Sequence, residues 1–349
     1  MNVNSIRGHR RMRMLRFPLA LAAFVLGTAS LAQGARPAPP VLNAVVDKAS
    51  AFANLNTLLI ARDGEILVDR AFRGRGTDRP TNIKSASKTI ISALVGIAID
   101  RKMIEGVEAP VFKWLGRDFP PDPDPRLNTL TIGNLLSMQA GLERTSGVNY
   151  GRWISSPNWV RFALSRPFVD EPGGRMLYST GSTHLLSAIL TRAGKDSTLD
   201  LAREWLGEPL GITISPWTRD PQGIFLGGNE MALSPKALLR FGEMYRQGGI
   251  IDGKRVVSEA WVKASWEPRT MSPFTGDAYG YGWFVRRAGT HNVYYAWGYG
   301  GQLLYVVPSL NLTVVITSDP TEPSGRTGYV RELHALLADD IIPAVEARD

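Results

Sequence analysis

The stretch Ser85-Ala86-Ser87-Lys88-Thr89-Ile90-Ile91-Ser92-Ala93-Leu94-Val95-Gly96-Ile97-Ala98-Ile99 decides how this chain is read. A basic loop carrying Arg79 and Lys84 turns here into a run that is apolar nearly all round, the pattern of a buried helix. Ser85 and Lys88 are three positions apart and share a helical face. A serine hydroxyl is a weak nucleophile until a neighbouring base takes its proton. Burial and the positive potential of a helix N-terminus both push Lys88 toward the neutral amine such a base requires. The Ser85 N–H at the same terminus is one donor for a developing oxyanion. The tetrapeptide alone is common by chance. Its weight comes from its place at a loop-to-helix junction and from two later segments.

The first of these is Gly173-Gly174-Arg175-Met176-Leu177-Tyr178-Ser179-Thr180-Gly181, a loop reaching a helix start and presenting Tyr178. A phenol bonded to Ser85 and Lys88, its pKa lowered by the lysine, would pass the proton on to a leaving group. The bland alternative is a half-buried structural tyrosine. The second is Ala296-Trp297-Gly298-Tyr299-Gly300-Gly301-Gln302, where glycines between two strands let a backbone approach closely. An N–H there would be the second oxyanion donor; a tight hairpin without chemistry is the alternative.

Outward from these segments, strands lie at both ends of the chain. Leu55–Ala61 and Glu65–Phe72 read as a hairpin about Arg62-Asp63-Gly64. Residues 100–270 carry mostly helical periodicity: Ile132–Gln139 after a Thr131 cap, His184–Arg192, Thr198–Trp205, Pro235–Gln247 and Ser258–Ala264. From Gly280 the period changes to two, over Tyr281–Arg287, Val293–Trp297, Gln302–Val307 and Leu312–Thr317. A closing helix, Gly328–Ile342, puts Val330, Leu333, Leu337 and Ile341 on one face, ready to cover a sheet. The expected fold is α/β (α+β): one antiparallel sheet built from N- and C-terminal strands, flanked by helices, with an inserted mostly helical lobe.

Residues 1–32 read as an export signal, with Arg7, Arg10, Arg11, Arg13 and Arg16 before the apolar run Phe17–Leu26 and the small residues Ser30-Leu31-Ala32. The run is too short to span a membrane, so no transmembrane span is expected after cleavage. Residues 33–44 follow as a flexible leader, with Val41–Phe52 helix-compatible, and 45–349 as the folded domain. Removing the five arginines lowers the formal net charge from +8 to +3. No basic stripe remains to argue for nucleic acid. With no cysteine and four scattered histidines, thiol chemistry is excluded and no metal-ligand spacing is present. No cofactor or metal is implied. Periplasmic or secreted location is expected.

Tyr150, Trp217 and Trp297 are aromatic candidates for a substrate wall, with Gly298 beside them; Trp153 is a further one, each weighed against an ordinary core role. His184, six residues after Tyr178, has no marked acidic partner and reads as structural.

The order Ser-x-x-Lys, Pro-Gly-…-Tyr-Ser-Thr, and a Gly-rich strand ending Gly-Gly-Gln resembles the serine β-lactamase-related, penicillin-binding-protein-like superfamily. That group holds class C β-lactamases, D-alanyl-D-alanine carboxypeptidases, family VIII esterases and 6-aminohexanoate-dimer hydrolases. The resemblance spans about residues 45–345 and takes in Leu130-Thr131-Ile132, Leu135-Leu136-Ser137, Gly141-Leu142, Pro209-Leu210-Gly211-Ile212, Gly227-Gly228, Arg240-Phe241-Gly242 and Tyr281-Gly282-Trp283. It implies a β-lactamase/transpeptidase-like fold, Ser85 as the acylated nucleophile, Lys88 as base, Tyr178 as proton relay, and the backbone N–H groups of Ser85 and Tyr299 as oxyanion hole. Thr180 stands where the β-lactam enzymes usually carry Asn, and Trp297-Gly298-Tyr299 where they carry Lys-Thr-Gly, leaving no cation for a substrate carboxylate. The expected activity is therefore cleavage of a small-molecule ester or amide through an acyl-serine. The alternatives are a β-lactamase or D-alanyl-D-alanine carboxypeptidase, and a catalytically silent binding protein on the same fold.

Overall fold

The computed structural model describes residues 40–324 and 327–347. The export signal and most of the expected leader lie outside the described residues. Helix α1 (Pro40–Ser50) already belongs to the fold, with Leu42 and Val45 in the core. Leu42, Val45 and Ala49 form one apolar stripe that is buried against the sheet.

The hairpin β1 (Leu55–Arg62) and β2 (Glu65–Ala71) turns at Asp63-Gly64, both with positive φ. The C-terminal half supplies β3 (Thr270–Met271), β4 (Ala278–Tyr279), β5 (Phe284–Ala288), β6 (His291–Gly298), β7 (Gln302–Val307) and β8 (Leu312–Ser318). They form one sheet in the order β2-β1-β8-β7-β6-β5-β4-β3, with neighbours antiparallel. The ends of the chain thus close on each other, as the sequence pattern requires. Tyr281–Trp283 is not part of β5, because Gly282 takes φ +78° and interrupts the extended run.

β7 and β8 are buried along their whole length because the sheet is covered on both faces. Leu304, Val306 and Val315 face one core with α2 (Ser87–Asp100), α3 (Thr180–Gly194) and α4 (Pro235–Arg246). Leu303, Tyr305, Val314 and Ile316 face the other, with α1 and α5 (Tyr329–Ala335), the first part of a helical stretch that runs on to Glu346. Alternate residues of a strand point to opposite faces, so each core takes every second side chain. A large apolar side chain fully buried in this way contributes roughly 1.5–3 kcal/mol.

The helix expected over Ile132–Gln139 is shorter, Ile132–Leu136. It opens on a Thr131–Asn134 capping box and stops before Met138, whose φ is +63°.

Candidate active site

Ser85 sits in a single tight turn, Lys84–Ala86, that runs without a break into α2. The preceding Lys84 is held at φ +51°, a conformation costing a non-glycine residue roughly 1–2 kcal/mol. Asn82 Oδ1 accepts the Lys84 N–H at 2.9 Å and its Nδ2 donates to Glu230 at 2.7 Å, fixing the turn. Ser85 is partly open to solvent, whereas Lys88, on the first turn of α2, is only 2% exposed.

Lys88 Nζ lies 3.0 Å from Ser85 Oγ, 2.7 Å from the Gly228 carbonyl oxygen and 3.3 Å from Thr180 Oγ1. No carboxylate is among these partners. Burial accordingly pulls the amine down from 10.5 to about 7.

Tyr178 comes to the same point from the loop before α3. The Lys88 Nζ is 4.9 Å from the centre of its ring, and the Ser85 side chain acts on its phenol, lowering its pKa. The ring is wedged between Phe284 and Phe274, with centroids at 6.4 and 6.5 Å. Its backbone is fixed by the loop before α3's first turn. Thr145 Oγ1 accepts the Gly181 N–H at 2.8 Å, Ser146 Oγ accepts the Thr180 N–H at 2.9 Å, and Ser179 Oγ accepts the Thr145 N–H at 3.0 Å. The first two satisfy helix-end donors that would otherwise be orphaned. Desolvation pushes the Tyr178 phenol up to about 12, the Ser85 side chain offsetting only part of the rise. This corrects the expectation that the lysine lowers it: an amine held at about 7 is already neutral where the phenol titrates and supplies no positive field there.

The third segment closes the site. The β5–β6 ladder ends at Phe284–Tyr295, while β6–β7 continues to Gly298–Gln302. The free end of β6 runs against the turn before Ser85: a Cβ at Gly298 would lie 2.2 Å from the Ile83 carbonyl oxygen. Only glycine permits that approach. Gly301 N–H donates to the Gly298 carbonyl at 3.2 Å, closing a turn with Tyr299 at its tip. Among the described residues, neither the Ser85 N–H nor the Tyr299 N–H has a hydrogen-bond partner.

The aromatic candidates separate. The Tyr150 hydroxyl accepts from Asn229 Nδ2 at 3.0 Å, next to Gly228, so it borders the site. Trp217 does not line the Ser85 crevice. Its ring packs on Phe225 at 4.7 Å, its indole N–H donates to the Leu226 carbonyl, and it borders a different recess with Ser197 and Asp200. Trp297 points to the opposite face of the sheet from its neighbour Ala296, where it meets Phe284 and a cavity of about 690 Å³ beside Arg286 and His334. Trp153 is fully buried against Trp159. Beside Tyr178 lies a recess of about 240 Å³ lined by Arg144, Met176, Met271, Pro273 and Phe274.

Sequence reading missed the Gly228 carbonyl and the acidic partner of His184. That partner is Asp220, whose Oδ2 is 3.0 Å from His184 Nε2, both side chains fully buried. The remaining ring nitrogen, Nδ1, accepts the Gly227 N–H at 3.3 Å. With both nitrogens engaged away from Ser85, His184 is not its base. Among the described residues no group of three or more His, Asp or Glu is gathered to hold a metal ion, and no helix is long and apolar enough to cross a membrane.

A family model described as Beta-lactamase matches residues 49–339. No curated protein matches the sequence. Among solved structures, a putative 6-aminohexanoate-dimer hydrolase from Bacillus anthracis aligns with TM-score 0.70 at 18% identity, covering 88% of this chain and 81% of that one. EstCE1, described as a hydrolase with promiscuous acyltransferase activity, aligns with TM-score 0.72 at 18% identity over 86% and 98%. The D-amino acid amidase of Ochrobactrum anthropi aligns with TM-score 0.70 at 15% identity over 88% and 99%. At these identities the likeness is one of fold.

Proposed function

This chain belongs to the beta-lactamase family, and from that premise we propose that it is a serine hydrolase cleaving a carboxylic ester or amide through an acyl-Ser85 intermediate. The observation that carries the reading is the buried Lys88 amine 3.0 Å from Ser85 Oγ with no carboxylate partner to keep it charged. A neutral amine has two N–H bonds and one lone pair. The Gly228 carbonyl can only accept, so it takes one N–H; Thr180 Oγ1 takes the other. The lone pair is left for the Ser85 proton.

In acylation Lys88 removes that proton as Ser85 Oγ attacks the substrate carbonyl. The unpartnered N–H groups of Ser85 and Tyr299 receive the oxyanion. Tyr178, a neutral phenol at working pH, gives its proton to the departing alcohol or amine and regains one from the Lys88 ammonium. The net movement is one proton from Ser85 to the leaving group. Water then repeats the cycle on the acyl-enzyme. No step calls for a cofactor.

The orientation of Trp297, on the far face of the sheet and carrying no charge, weighs against the β-lactamase and carboxypeptidase alternatives, which use a cation at that position. Export, proposed on residues 1–32, is checked by N-terminal sequencing of protein recovered outside the cytoplasm. Catalysis is checked by mass spectrometry after brief exposure to p-nitrophenyl butyrate. An acyl adduct on Ser85, absent in Ser85→Ala, is the expected result. Equal ester hydrolysis by the two proteins overturns the proposal, and nitrocefin turnover in place of ester turnover selects the β-lactamase alternative.

A further inference from the structure

The tautomer of the buried histidine follows from its neighbours. The Gly227 N–H points at His184 Nδ1 at 3.3 Å, so Nδ1 carries a lone pair and Nε2 carries the proton. At the other end, Nε2–H meets Asp220 Oδ2 at 3.0 Å, while Asp220 Oδ1 accepts the N–H groups of Gln222 and Ile224, both at 2.9 Å. Both oxygens of the carboxylate face donors. The next carbonyl along, that of Gly228, holds the Lys88 amine at 2.7 Å.

This segment has no slack. A Cβ at Gly227 would lie 2.1 Å from the Thr183 carbonyl oxygen, and one at Gly228 would lie 2.8 Å from Lys88 Cγ. Backbone is laid directly on α3 and on the lysine stem, so a displacement of residues 227–228 is passed to the amine. Gly228 is also at φ +81°, a conformation that glycine adopts and a side chain would strain.

We infer that His184 and Asp220 are a positioning pair for acylation: acting through the Gly227 N–H, they set the Gly228 carbonyl that turns the Lys88 lone pair onto Ser85. Neither side chain touches Ser85, so their role is to orient the base and not to move a proton. The inference rests on the reading of Lys88 as base given above.

Asp220→Asn is the test, because it changes no volume. The amide oxygen must keep accepting from Gln222 and Ile224, which turns its NH₂ toward His184 Nε2. The imidazole proton is then driven to Nδ1, against the Gly227 N–H, as a misplaced tautomer. Turnover of p-nitrophenyl butyrate is measured per acylatable enzyme, counted by mass spectrometry, so that loss of folded protein does not enter. The expected result is a kcat lowered about ten- to a hundredfold with KM within about twofold. In protein labelled with [13Cε]lysine, the Lys88 titration midpoint is expected to move by about half a pH unit or more. A folded Asp220→Asn protein with wild-type kcat and an unmoved midpoint overturns the inference and leaves the pair as core filling.

Should that variant not fold, the wild-type His184 15N shifts decide. A bare Nδ1 supports the pair, and a protonated Nδ1 overturns it. If the wild type acylates with no ester at all, the proposed function fails, while the lysine titration still reports separately on the coupling between Asp220 and Lys88.

Discussion

The acylation rate is expected to follow the ionisation of Lys88 alone. Burial holds this amine at about 7 instead of 10.5, which corresponds to about 5 kcal/mol of lost ammonium solvation. At pH 7 about half of the molecules therefore carry the free amine, against roughly one in 3,000 for an ordinary lysine, a gain of about three orders of magnitude in competent enzyme. The perturbation is pH, and the assay is stopped-flow acylation by p-nitrophenyl butyrate from pH 4.5 to 9.5, corrected for spontaneous hydrolysis. The rate constant should level off above about pH 8, be half-maximal at about 7, and fall tenfold per unit below about pH 6 to about one hundredth at pH 5. Tyr178, pushed up to about 12, should add no descending limb in this range. A midpoint near 10, or a rate that stays flat down to pH 5, would refute the assignment of Lys88 as base.

Lys88→Met is expected to abolish acylation and yet to raise stability. A folded-state amine lowered to about 7 makes the unfolded chain bind more protons between pH 7 and 10.5, so wild-type stability rises with pH through that window. Removing the amine, less the cost of an unpaired Gly228 carbonyl, gives the variant about 1–3 kcal/mol at pH 7. Urea melts at pH 7 and pH 10 check this; the advantage should shrink at the higher pH, and a variant less stable at pH 7 would contradict the burial cost. Tyr178→Phe should lower kcat by about 100- to 10,000-fold while leaving the acid limb near pH 7 in place. Disappearance of that limb would transfer the base role to the tyrosine. Gly298→Ala sets a methyl group 2.2 Å from the Ile83 carbonyl oxygen and must displace β6 from the Ser85 turn. About 1–3 kcal/mol of stability and about a hundredfold in kcat/KM should be lost together; wild-type turnover would show that the 298–299 backbone gives no oxyanion contact.

Local chemistry made much of this protein legible in one dimension. The spacing of Ser85 and Lys88, the apolar run behind them, the Asp63-Gly64 turn and the short β-branched and apolar runs Gln302–Val307 and Leu312–Thr317 are all short-range patterns. Each depends on side chains within about two helical turns or one strand. Closure of the sheet followed as well, because paired strands at both ends and helices between them leave few ways to bury every apolar face. Errors fell where a neighbour distant in sequence decides. Tyr281–Trp283 alternates like a strand, but Gly282 at φ +78° bends it away. Trp217 and Trp297 read as site aromatics, although strand register and the Leu226 carbonyl assign them elsewhere.

Sequence by itself therefore determined which hydroxyl and which amine stand together, since three residues on one turn have no freedom to separate. Tertiary structure alone decided the rest: that Tyr178 arrives at the pair, that its phenol is raised and not lowered, and that Gly228, 140 positions from Lys88, holds the amine. It also decided that His184 meets Asp220 behind that contact. The reason is physical. Periodicity and caps are set by residues a few bonds away, whereas desolvation and hydrogen-bond partnership are set by whatever the fold packs within a few ångströms, and that is written nowhere in the local sequence.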